Sequence, residues 1–147
     1  RAVGLRCSIR FYPSDLRVND APQLAVLARL EAMLAPPLAM RREVRLPIPG
    51  DLRAWDARIG DGHRNASLDA EARLGDLQAL ARRTALKERD DPAAGIVILV
   101  LNRTNHNRAV LAEHREALRA QFPLDGAAIA RSFRAGRIPP AGGIILV

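Results

Sequence analysis

The segment Gly95–Leu101 reads Gly-Ile-Val-Ile-Leu-Val-Leu, an apolar run without a single charge. Branched apolar residues in an unbroken row suit a strand covered on both faces, because no side of it is fit for water. This run therefore predicts the centre of a sheet with helices on each side. A second run, Gly142–Val147, closes the chain in the same way. Both are strand-sized and far below the ~20 residues that a bilayer demands, so no membrane partner is expected. With 147 residues the chain is long enough for one sizeable core and too short for two.

The rest of the chain supplies the partners of that strand. Val3–Tyr12 alternates, with Leu5, Cys7, Ile9 and Phe11 on one side. Asp20 as N-cap and Pro22 in a first turn open a helix to Ala35, with Leu24, Leu27, Leu30 and Leu34 at helical spacing, and Pro36-Pro37 stops it. Three strands, Met40–Leu46, Leu52–Ile59 and Ser67–Arg73, are expected to form an antiparallel meander, with turn chemistry at 61–65. The period then changes to helical over Gly75–Arg89, with Leu77, Leu80, Ala81 and Thr84 inward and Arg82, Arg83 and Lys87 outward. A helix between two strands makes a parallel crossover the natural link to Gly95–Leu101. Helices at Asn107–Phe122 and Gly126–Arg134 precede a final strand at Gly143–Val147. The expected fold is α/β, a single mixed β-sheet flanked by helices on both faces, with residues 1–147 as one domain. The chain opens on Arg-Ala-Val-Gly-Leu without an initiator Met, so a fragment or a processed form is expected, one that could have lost a preceding N-terminal domain.

A net charge of +7 points to a polyanionic partner. Almost all of that charge is arginine, Lys87 being the sole lysine, and the chain is rich in alanine, a pattern that GC-rich codons also produce. Aromatic residues make up only 3%, which argues against base-stacking platforms for single strands. One cysteine excludes an internal disulfide and a Cys-rich zinc site, and with no secretory signal a reducing cytoplasm is expected. Three scattered histidines do not make a zinc site either.

The chemistry-bearing residues cluster on the second and third expected strands. Residues two apart share a face, so Asp69, Glu71 and Arg73 should project together, with Leu68, Ala70, Ala72 and Leu74 opposite. Asp56 on the preceding strand is placed to come alongside. Two carboxylates and a cation are the minimum for a hard divalent metal and phosphodiester hydrolysis, and the same groups equally make a buried ion-pair network. Thr104-Asn105-His106-Asn107-Arg108 opens a helix after the apolar strand, as a cap or as an anion site.

Leu52-Arg53-Ala54-Trp55-Asp56-Ala57 followed by Asp69-Ala70-Glu71-Ala72-Arg73-Leu74-Gly75-Asp76-Leu77-Gln78 resembles the core of the PD-(D/E)xK, or restriction-endonuclease-like, superfamily. The run through Leu86–Asp90, Asn105–Arg108 and the closing Ile-Ile-Leu-Val is similar to the C-terminal part of helix-turn-helix transcriptional regulators carrying such a module. The resemblance implies catalytic positions at Asp56, Glu71, Arg73 and Gln78, with Asp56 and Glu71 holding Mg2+ if the module is active. Arg73 stands where the family has lysine, and a guanidinium stays protonated and serves poorly as a base. The expectation is a nuclease-like domain of a DNA-associated regulator that binds or senses rather than cuts. DNA contacts are expected from Arg82, Arg83, Lys87 and Arg108. The alternatives are a metal-dependent DNA endonuclease and a partner-binding or dimerisation domain, the latter with a second copy of the chain as partner.

Overall fold

The computed structural model describes residues 15–147, so the expected strand Val3–Tyr12, with Cys7, lies outside the described residues. The elements run α1 (Asp15–Glu31), β1 (Ala39–Arg45), β2 (Ala54–Gly60), β3 (Asn65–Glu71), α2 (Leu77–Asp90), β4 (Ile96–Leu101), α3 (Asn105–Leu118), α4 (Gly126–Arg134) and β5 (Gly143–Leu146). The strands form one mixed five-stranded sheet in chain order, β1-β2-β3-β4-β5. The first three are an antiparallel meander, while β3–β4 and β4–β5 are parallel and joined by helices. Among the described residues no helix is long and apolar enough to cross a membrane.

Strand alternation splits the core into two layers. Ala57, Ile59, Leu68, Ala70, Ile98, Val100 and Ile145 pack with Val26, Leu27 and Leu30 of α1 and Ile129 and Phe133 of α4. On the opposite face Trp55, Val97, Leu99, Leu101 and Ile144 pack with Leu77 and Leu80 of α2, Leu118 of α3 and Phe122. β4 is thus covered on both sides, as its composition requires. β1 sits at one edge and alternates exposed with half-buried residues, its outer positions carrying Arg41, Glu43 and Arg45. Among the described residues no further strand pairs with this edge, and charges along it discourage pairing with another chain.

Most boundaries differ from expectation by a few residues, α1 ending at Glu31 rather than Ala35 and α3 at Leu118 rather than Phe122, and two of the differences bear on the site. α1 begins at Asp15, so Pro22 lies inside the helix rather than in its first turn. Val26 is buried there, whereas Leu24 is half exposed. β3 ends at Glu71 instead of Arg73, because the Asn107 side chain takes over the next backbone groups: it donates to the Ala72 carbonyl at 3.1 Å and accepts from the Leu74 N–H at 2.8 Å.

The entry to β4 needs a glycine. Gly95 has φ +67, and a Cβ there would stand 2.0 Å from the Asn65 carbonyl oxygen. Gly95→Ala is therefore expected to lose about 2–3 kcal/mol, from left-handed strain and the clash together. Urea unfolding at unchanged m-value checks this.

Candidate functional site on the acidic strands

β3 is buried from Ala66 to Ala70, yet two of its inward positions are polar, Ser67 and Asp69. Both face α2. Asp69 accepts from Lys87 Nζ at 2.6 Å and from Thr84 Oγ1 at 3.1 Å, and all three side chains are buried. The Lys87 ammonium also lies 5.2 Å from the centre of the Trp55 ring, within cation–π range. The lysine expected on the outer face of α2 is therefore buried and cannot touch a DNA backbone. The signal was in the spacing: Leu77, Leu80, Thr84 and Lys87 continue one helical stripe. An aliphatic stem lets a lysine occupy such a position when its ammonium finds a counter-ion.

Next to this pair stands a second one. Asp91, just past α2, accepts from Trp55 Nε1 at 2.8 Å, from Ala93 N–H at 3.0 Å and from the Arg58 guanidinium. Arg58 Nε in turn donates to Ser67 Oγ at 3.1 Å, and that hydroxyl donates to the Ala94 carbonyl at 2.8 Å. Among the described residues no buried side-chain nitrogen or oxygen lacks a partner. Trp55 is thus a core residue with a satisfied N–H, and it links the two ion pairs. Arg53 ties Asp51 to Asp90 at the same end of α2, at 2.6 and 2.8 Å, and with Arg89 holds the Asp90 carboxyl down to about 2.

Asp56 takes a different direction. The β1–β2 register passes from Arg42↔Ala57 to Val44↔Trp55, leaving Glu43 and Asp56 out of the pairing, and Glu43 has a positive φ of 51. Trp55 and Arg58, three positions apart, both reach Asp91, so the alternation slips by one at Asp56. Its side chain lines a small cleft with Gln23, Leu24 and Leu27 of α1 and with Glu43. One carboxylate oxygen accepts the Ala70 N–H at 2.7 Å.

Burial pushes the Asp56 carboxyl up to about 6; the Ala70 N–H opposes the rise and the Asp69 carboxylate adds to it. A value above the ordinary 3.8 means that the folded chain holds this proton more tightly than the unfolded one. Between those two values stability falls as the pH rises, and the ionised form is a net cost above about 6. Asp56→Asn keeps an acceptor for Ala70, so it is expected to melt above the wild type at pH ~7.5, with the gain shrinking below pH ~5. Thermal melts at both pH values measure it, and an equal difference at both would mean that this carboxyl titrates normally.

The positions marked by the sequence are gathered only in part: Glu71 and Arg73 line one small pocket with Arg83 at the start of α2, and Asp56 and Gln78 do not line it. Glu71 turns toward α2 and accepts from Arg83 at 2.8 Å, while Asp56 turns toward α1. Arg73 lies beyond the end of β3 and is exposed, and Gln78 is exposed on α2. Arg73 therefore does not continue the face of Asp69 and Glu71, and the buried network is built on Lys87 and Arg58 in its place. Among the described residues no group of three or more His, Cys, Asp or Glu side chains stands together as metal ligands. Arg82 and Arg83 are exposed on α2, and Arg108 is exposed on α3, lining a groove that neither of them lines.

The opening of α3 is structural. Thr104 Oγ1 caps it by accepting the Asn107 N–H at 3.1 Å, and His106 Nε2 meets the Leu74 carbonyl at 2.7 Å. Together with Asn107 these contacts pin the segment that follows β3. His63 is exposed on its turn, and His114 Nδ1 stays within its own helix, 3.0 Å from the Val110 carbonyl.

Comparison with family models, with curated proteins and with solved structures finds no match to this chain.

Proposed function

We propose that the chain is a restriction-endonuclease-like module of a DNA-associated cytoplasmic regulator, one that binds DNA rather than cutting it. The element order supports this reading: a helix, a three-stranded meander, a crossover helix and a parallel strand, with Asp56 and Glu71 on neighbouring strands. The observation that carries it is how the charges are matched. Asp69, Glu71 and Asp91 each meet a cation of the same fold, Lys87, Arg83 and Arg58. Arg82 and Arg108 are exposed and, among the described residues, paired with no carboxylate.

The donor set present does not suit a hydrolytic metal. Asp56 and Glu71 leave opposite sides of the sheet, and Arg73 is a poor base, so no step of this reading runs through Mg2+. What remains for a polyanion is electrostatic attraction to exposed arginines, which is sequence-tolerant and salt-sensitive.

The test is a titration of a short DNA duplex at salt concentrations from about 50 to 200 mM. Binding should weaken steeply with salt, and Arg82→Glu/Arg83→Glu should weaken it by about tenfold or more while flattening the salt slope. Absence of binding at the lowest salt would overturn the DNA reading in favour of a protein partner.

A further inference from the structure

A groove of about 520 Å3 lies at the opposite edge of the sheet from β1, where α3 and α4 meet β5. That is the size of a pocket for a small organic ligand. Arg103, Arg108, Arg115 and Arg134 line it, against a single carboxylate, Asp125. Asp125 is already engaged as the N-cap of α4, accepting the Ala128 N–H at 2.8 Å. Arg103 is steadied by the Leu146 carbonyl at 2.9 Å. Among the described residues none of the four arginines is salt-bridged, whereas Arg42, Arg53, Arg58, Arg83, Arg89 and Arg119 all are.

Four like charges brought to one groove from three parts of the chain repel each other and call for an anion. The groove between them is apolar, formed by Met33, Leu111, Ala130 and Ile144. A free inorganic ion would leave that surface wet, and a long polyanion would leave it unfilled. The occupant that suits both is a dianionic head on an apolar body. Phosphate monoesters carry nearly two charges at neutral pH, and their terminal oxygens accept arginine forks from several directions at once. The first turn of α4 also borders the groove through Ala127, and a helix N-terminus carries the sign that favours an anion.

We propose that this groove binds a small organic phosphate monoester, its phosphate held by Arg103, Arg108, Arg115 and Arg134 and its apolar body against Leu111 and Ile144. The site does not depend on the nuclease-like reading: Arg108 is the one arginine that the two readings share, and Arg82 and Arg83 of α2 lie outside the groove, so loss of DNA binding there and loss of phosphate binding here are distinguishable.

Calorimetric titration with 1-naphthyl phosphate tests it, beside inorganic phosphate, 1-naphthol and a 5′-phosphorylated oligonucleotide. The expected result is that naphthyl phosphate binds at least about tenfold more tightly than inorganic phosphate or naphthol, because head and body both contribute. Arg108→Ala/Arg134→Ala should weaken it by about tenfold or more, and neither side chain hydrogen-bonds the fold among the described residues, so the variant should melt like the wild type. Arg82→Ala/Arg83→Ala should bind it unchanged. Equal binding of inorganic and naphthyl phosphate, or full binding by the groove variant, would overturn the proposal. So would tighter binding of the oligonucleotide than of naphthyl phosphate by Arg82→Ala/Arg83→Ala, which lacks the α2 contacts to DNA, since that would assign the groove to nucleic-acid ends.

Discussion

Lys87→Met should cost about 3–5 kcal/mol of unfolding free energy, the range for removing one partner of a buried ion pair. Methionine replaces the aliphatic stem over Trp55, so little packing is lost. What is lost is, among the described residues, the cation paired with Asp69, a carboxylate that is 2% exposed and is left there with the Thr84 hydroxyl. In a chain of this size the melting temperature should fall by on the order of 10 °C. The same argument predicts the rescue. Buried pairs replaced on both sides by apolar residues are often neutral, so Lys87→Met/Asp69→Leu should recover at least about 2 kcal/mol of the loss. Strict additivity of the two single losses would show that Lys87 acts on something other than Asp69.

Asp91→Ala should be as damaging or worse, about 4–5 kcal/mol. It strands the Arg58 guanidinium at a position 8% exposed, and it removes the acceptor of the Trp55 N–H. An orphaned buried donor adds its own desolvation penalty, about 1–3 kcal/mol, partly overlapping with the first. Arg58 retains Ser67 Oγ but no counter-ion. Against a total of about 5–15 kcal/mol for an ordinary domain, this variant stands near the threshold of folding. Asp91→Asn, which keeps a carbonyl acceptor for Trp55, should fall between the two. Chemical denaturation of the three proteins orders them, and a stable Asp91→Ala would show that the pair contributes little.

Regular local patterns could be read from the chain alone. Gly95–Leu101 became β4, Gly126–Arg134 became α4 with the same limits, and the three-stranded meander formed as its turns suggest. The departures share a cause, in that each depends on a contact distant in sequence. Asn107 draws residues 72–74 away from the sheet, and with them Arg73. The unpaired Glu43 and Asp56 shift the alternation of β2, so Asp56 leaves on the side away from Asp69 and Glu71. Lys87 follows the apolar stripe of α2, but its charge masks that position unless Asp69 is known to face it. The acidic strand was thus identifiable as exceptional. Its use could be read only once the partners on α2 were in place.

That use is the centre of the proposed function, in which these carboxylates hold the fold and DNA would be bound without being cut. Incubation of supercoiled DNA with the protein and Mg2+ or Mn2+, beside Asp56→Ala/Glu71→Ala, tests it most directly. The account predicts that the DNA stays supercoiled with both proteins. Nicking or linearisation by the wild type that disappears in the double variant would contradict it.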